Sequence, residues 1–196
     1  MDRDSIAQLH FGHLKNPKDA ANSVLLRLLR EGHIQRSTSF VPYVYFGPDI
    51  EMKKSSAKIP HFLSILGVYK ELVKLGSMSQ FLVEPKYGKK GECAEPDIYT
   101  FFRNTPFFVE VQRTLYSEKQ MNEKLDRYVD LYNSGLVNPF PHVLILSDQR
   151  YAIDGGYPFK VFQAESFTQF VESLRPATKA QPAGKGEGIK IKVGVN

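Results

Sequence analysis

EPDIYTFFRNTPFFVEVQRT, residues 95–114, carries two apolar runs on either side of a short polar break. DIYTFFR (97–103) and PFFVEVQR (106–113) read as strands, with Asn104-Thr105 as a two-residue hairpin loop. On that register Arg103 faces Pro106, Tyr99 faces Glu110 and Asp97 faces Gln112. Side chains alternate across a strand, so Asp97, Glu110 and Gln112 share one face at the end remote from the loop. Ile98, Phe102, Phe107, Val109 and Val111 take the other face, toward the core. A hairpin that only packs has no use for carboxylates among so many aromatics. Either they belong to a metal-dependent phosphodiester-cleaving site, or they mark the wet edge of a small sheet.

Two neighbouring carboxylates repel each other, and a cation relieves that repulsion. Magnesium takes hard oxygen ligands and keeps several of its waters. The expected ligands for Mg2+ (or Mn2+) are therefore Asp97, Glu110 and the carbonyl of Val111. Such an ion polarises a phosphate and lowers the pKa of an attacking water. The plainer alternative pairs the same acids with Arg103, Arg113 or Arg127 on a solvated face.

Composition narrows the classes. The chain has 196 residues, 42% of them hydrophobic, which suits one large domain or two small ones. No apolar run approaches the ~18 residues of a membrane span. The opening MDRDSIAQLHF has acids and no apolar core of a signal peptide. Cys93 is the single cysteine. An internal disulfide and a Cys-rich zinc site are thereby excluded, and a cytoplasmic location is expected. Set in KYGKKGECAE, Cys93 does not read as a nucleophile. A net charge of +5 and a pI near 9.2 favour a polyanionic partner.

Residues 1–50 read as helix, turn, helix, hairpin. SIAQLHF is a short helix with Ile6, Leu9 and Phe11 inward. Asn16-Pro17 caps and opens a second helix with Val24, Leu25, Leu28 and Leu29 on one face, and Gly32 stops it. Ile34 and an alternating Val41, Tyr43, Tyr45 follow as two strands around an RSTS tip. This order is that of a winged helix-turn-helix without the helix that usually comes first. Double-stranded DNA is then the expected partner. Lys18, Asn22, Ser23, Arg27 and Arg30 face outward on the recognition helix, and Arg36 reaches phosphates from the wing.

PDIEMKKSSAK is a polar linker. IPHFLSILGVYKELVKLG is a strong helix with Ile59, Phe62, Leu63, Leu66, Tyr69, Leu72 and Val73 inward. His61, near its start, has no metal-ligand spacing and reads as a satisfied or exposed side chain. FLVEPKY is a strand. SEKQMNEKLDRYVDLYNSG is a helix opened by a Ser117/Gln120 capping box, with Met121, Leu125, Tyr128 and Tyr132 buried. PHVLILS and FKVFQ are strands and ESFTQFVESL a closing helix. Residues 51–175 thus form a second α/β unit. Residues 176–196 are a flexible basic tail, whose IKIKV suits an added strand.

E-P-D-(x12)-E-V-Q resembles the P-D…(D/E)-x-K signature of the PD-(D/E)xK nuclease superfamily. Over residues 4–150 the chain looks more specifically like the replication-relaxation family of plasmid and mobile-element proteins. The likeness rests on the order of SIAQLHF, LLRLLREGHI, VYF, IPHFLSILGVYKEL, EPDIYTFF, FFVEVQRT and EKLDRYVDLY. It implies an α/β (α+β) chain: a winged helix, then a restriction-endonuclease-like mixed sheet flanked by helices. It also implies a role in plasmid DNA relaxation and replication. Asp97 matches the Asp of P-D and Glu110 the following acid, while Gln112 stands where the superfamily has Lys. That Lys activates water and stabilises developing negative charge. Lys124, on the following helix, is the candidate to replace it, and Glu84 or Glu95 could add an outer acid. Two functions follow: a magnesium-dependent DNA endonuclease or nickase, and a non-enzymatic DNA-binding regulator whose degenerate second domain serves partner binding or homodimerisation.

Overall fold

The computed structural model describes residues 1–88, 91, 93–153 and 155–174. The N-terminal part holds α1 (Arg3–Phe11), α2 (Pro17–Arg30), β1 (Gln35–Ser37) and β2 (Val44–Phe46). After it come α3 (Lys58–Leu75), β3 (Met78–Val83), β4 (Ile98–Phe102), β5 (Thr105–Val111), α4 (Glu118–Asn133), β6 (His142–Leu146), β7 (Val161–Ala164) and α5 (Phe167–Ser173). The described residues thus form an α+β structure with five helices, a two-stranded sheet and a five-stranded mixed sheet. The basic tail, residues 176–196 with its IKIKV, lies outside the described residues. None of the described helices is long and apolar enough to cross a membrane.

Asp2 caps α1 by accepting the Ser5 N–H at 2.8 Å. Pro17 opens α2 as its first residue, although the Asn16 side chain makes no capping bond. Gly32, at φ +75°, ends it, and the His33 N–H reaches back to the Leu28 carbonyl at 2.9 Å. The expected stripe on α2 is only partly buried. Ala21 and Leu25 meet Ala7 and Tyr45 in a small core, while Val24, Leu28 and Leu29 stay half-buried.

The first hairpin departs from the expected alternation. Its strands pair only from Gln35↔Phe46 to Ser37↔Val44, so Val41 and Tyr43 lie in the connecting tip. Pro42 has no N–H to offer a ladder, which keeps this stretch out of the strand. The start of the chain takes a third position beside β2: Tyr45 and Met1 exchange N–H···O bonds, each 2.8 Å long.

In the larger sheet β3, β4 and β5 form an antiparallel meander, and β6 and β7 continue parallel to β5. Ile98, Phe102, Phe107 and Val109 pack with Ile65, Val68 and Leu72 of α3 and with Phe167 and Phe170 of α5. On the opposite face Phe108, Val143 and Ile145 pack with Met121, Leu125, Tyr128 and Leu131 of α4. The expected core-facing residues of the β4–β5 hairpin therefore hold, but Gln112 lies on the α3 side, away from Glu110, and the register differs. Phe102 pairs with Thr105 and Ile98 with Val109, so the loop is Arg103-Asn104, with φ +46° and +61°. Such a two-residue turn needs positive φ at both positions, which Asn tolerates and the β-branched Thr105 resists. Every residue meets a partner two positions nearer the loop than expected, and a two-residue period leaves the faces unchanged.

The α4 capping box forms as expected, with Ser117 N–H donating to Gln120 Oε1 at 2.9 Å. Its buried stripe ends at Leu131, and Tyr132 stays 41% exposed. Helix α3 is apolar on two sides because it lies between two layers. Phe62, Leu63, Leu66 and Tyr69 line an apolar cavity of ≈ 560 Å³ shared with Met1, Ile6, Leu25 and Tyr45. Val73, expected inward, is exposed.

Candidate functional site

Asp97 precedes β4, and Glu110 is the penultimate residue of β5. The ladder's last pair is Ile98 and Val109, so the two acids stand opposite one another one step beyond it. The corrected register therefore brings them closer than the expected Asp97–Gln112 pairing. Asp97 Oδ2 accepts the backbone N–H of Val111 at 2.7 Å, which ties the start of β4 to the residue following Glu110. Its Oδ1 lies 3.0 Å from Nε2 of His61, which donates in its Nε2–H tautomer.

Glu110 points to the α4 face and is only 2% exposed. Tyr128 O–H donates to its Oε1 at 2.5 Å. The Lys124 ammonium sits 2.5 Å from its Oε2. That contact is a buried, charge-assisted ion pair, so each Glu110 oxygen has one partner. Lys124 and Tyr128 are four residues apart, one helical turn, and so present both groups to the same carboxylate. Burial pushes the Glu110 carboxyl up to about 7; the Lys124 ammonium pulls it down and the Asp97 charge pushes it up again. Burial draws the Lys124 ammonium down, but the Glu110 carboxylate outweighs this and its pKa is raised. Burial likewise raises the Tyr128 phenol well above its usual range, so it stays a hydrogen-bond donor.

A cavity of ≈ 190 Å³, lined by Gly91, Cys93, Ala94, Glu95, Glu110, Lys124 and Arg127, opens onto this pair. Neither acid pairs with Arg103, Arg113 or Arg127, the partners of the plainer reading. Glu110 takes Lys124 and Asp97 takes His61. Arg103 lies over the Phe102 ring instead, 5.1 Å from its centroid.

Gln112 is not brought to this cluster. Its Nε2 donates to the Thr114 carbonyl at 2.8 Å. It lines a separate crevice of ≈ 340 Å³ with Ser64, Glu71, Arg113, Ser147 and Asp148. Of the outer acids, Glu95 lines the Glu110 cavity and ion-pairs with Lys86. The backbone N–H of Glu84 donates to the Asp97 carbonyl at 2.9 Å. Sequence reasoning missed His61 and Tyr128 as partners of the acids. The one-turn spacing of Lys124 and Tyr128 was an available signal, whereas nothing in the sequence links residue 61 to residue 97.

Among the described residues no three or more His, Cys, Asp or Glu side chains gather as a metal cage. Magnesium needs only one or two protein carboxylates and keeps its waters. Asp97 and Glu110 are hard carboxylate donors of the kind this ion takes, and at Glu110 the ion would share the oxygens with the Tyr128 hydroxyl and the Lys124 ammonium.

The expected DNA-contacting residues lie mostly on the surface. Lys18, Ser23, Arg27 and Arg30 are exposed, while Asn22 and Arg36 are half-buried. Lys18 Nζ is 3.5 Å from Asp4, and the Ser23 hydroxyl is turned to the Asp19 carbonyl at 3.0 Å. The Arg36 guanidinium lies 4.7 Å from the Tyr43 ring centroid.

Fold and site together define an α+β protein with an acid–acid–lysine cluster where its two central antiparallel strands begin and end. No protein-family model and no curated protein matches the chain.

Proposed function

We propose that this chain is a DNA-binding protein of plasmid or mobile-element replication and relaxation. In this reading a winged helix-turn-helix is followed by a restriction-endonuclease-like domain that nicks or cuts DNA at Asp97, Glu110 and Lys124. The observation that carries it is the Lys124 ammonium at Glu110, which supplies from α4 the cation that Gln112 lacks. A helix, an antiparallel meander, a second helix and a parallel strand, α3 to β6, give the same support at the level of topology.

Asp97 and Glu110 would hold Mg2+ or Mn2+, with the Val111 carbonyl as third oxygen. When bound, the ion polarises the scissile phosphate and activates water. The chain's own groups do the rest. His61 and the Val111 N–H fix the Asp97 carboxylate from two sides. Tyr128 fixes Glu110. Lys124 places positive charge beside the acids, where negative charge on phosphate develops. A carboxyl that titrates near 7 is suited to exchanging a proton with water at neutral pH.

A second reading, a non-enzymatic DNA-binding regulator, draws on the enclosure of Glu110 and the separate position of Gln112. Supercoiled plasmid distinguishes the two. A nuclease relaxes it with magnesium, spares it with EDTA, and loses the activity in Asp97→Asn. A regulator shifts a labelled duplex on a gel, with steep salt dependence and no cleavage.

A further inference from the structure

We propose that the β1–β2 tip is a wedge for the minor groove of duplex DNA, with Val41 inserted at a base step and Arg36, Lys53 and Lys54 set against the flanking phosphates. This rests on the DNA-binding reading and adds an element to it.

Val41 is 95% exposed, and Tyr43 beside it is 42% exposed. Single exposed apolar side chains are ordinary. This one differs in where it stands and in what surrounds it. The tip's base is pinned, because the buried Ser37 donates its hydroxyl to the Lys54 carbonyl and accepts the Ser39 N–H at 3.2 Å. That bond lays the Lys54 backbone against the base of the hairpin, and Lys53 and Lys54 are exposed there. Lys54 and Ser37 lie 17 positions apart in the sequence, which does not announce that they meet. Arg36 packs on the Tyr43 ring, which holds a third cation and an aromatic edge at the same place. Pro42 restricts the backbone directly after Val41.

An apolar point with cationic shoulders matches one feature of duplex DNA. Minor-groove proteins insert single apolar side chains between base steps while Arg and Lys face the phosphates. An anionic membrane offers the same charge. But it holds proteins through a broad apolar face, and one valine beside a half-exposed tyrosine is a point. The favoured partner is therefore the duplex.

The test uses the full chain and A·T-rich duplexes carrying 2-aminopurine at successive steps, with end labels that report bending. The wild type is expected to raise 2-aminopurine fluorescence at one step and to bend the duplex. Val41→Ser should lose both signals and bind about tenfold more weakly, the equivalent of ~1.4 kcal/mol. Val41→Leu should retain them. Lys53→Ala/Lys54→Ala should keep the fluorescence rise and lower the slope of log affinity against log salt by roughly two. Val41→Ser that unstacks and bends DNA like the wild type overturns the wedge while leaving DNA binding intact. A wild type that binds no duplex at low salt removes the DNA-binding reading as well. Loss of binding to phosphatidylserine vesicles in Val41→Ser, with DNA binding unchanged, also overturns the proposal. At 95% exposure Val41 has no packing to lose, so these variants read contact and not folding.

Discussion

At the scale of single residues, Glu110 is the most consequential side chain. It is a carboxylate enclosed to 2% exposure between one phenol and one ammonium. Its carboxyl titrates near 7 in the fold and at 4.5 ordinarily. Between those values the native chain holds more protons than the unfolded chain, so this group's contribution to stability falls as pH rises from 4.5 to about 7. Glu110→Gln has no such titration. Its melting temperature relative to the wild type should therefore rise from pH 5 to pH 7.5, and a flat difference would show that Glu110 titrates normally. Lys124→Met leaves the carboxylate buried without its cation. At pH 8 the expected cost is about 2–4 kcal/mol by urea unfolding, and at pH 5 much less, because the carboxyl then takes up a proton instead. Equal losses at the two pH values would mean that the Lys124 stem matters through packing and not through charge.

At the scale of elements, local chemistry was legible wherever a segment satisfies its own needs. The Ser117–Gln120 capping box can be read from two residue types three apart, and it forms. Ser117→Ala should cost about 1 kcal/mol in urea unfolding, with Ser117→Asp close to wild type. The faces of β4 and β5 were equally legible, because a period of two is written in the chain itself. The hairpin register was not, since it turns on which two residues accept positive φ. Arg103 and Asn104 do so in place of Asn104 and Thr105. The β1–β2 tip misled for a related reason. Val41, Tyr43 and Tyr45 alternate like a strand, but Pro42 between them cannot join a ladder.

At the scale of the whole molecule, the N-terminal helices and hairpin meet the sheet domain across α3. A polar tie across that joint is the Lys70 ammonium donating to Ser5 Oγ at 3.0 Å. Beside it lies the apolar cavity of ≈ 560 Å³, space that close packing would otherwise fill. Few packed contacts imply a low free energy of local opening. Amides of α1 and α2 should then exchange with solvent deuterium well before those of β4, β5 and β6. Equal protection would show one cooperative unit. Lys70→Ala should accelerate exchange in α1 and leave the sheet unaffected.

Local spacing along the chain sets the kinds of element, their order and the core-facing residues of the central β4–β5 hairpin. All of these follow from spacings of two to four residues, within which neighbours along the chain are neighbours in space. Tertiary structure alone decided that Lys124 of α4 closes on Glu110, that His61 of α3 holds Asp97, and that Gln112 turns to a different crevice. Those outcomes depend on how helices stack on the two faces of the sheet. Layer packing joins residues 14 to 36 positions apart, beyond the reach of any local periodicity.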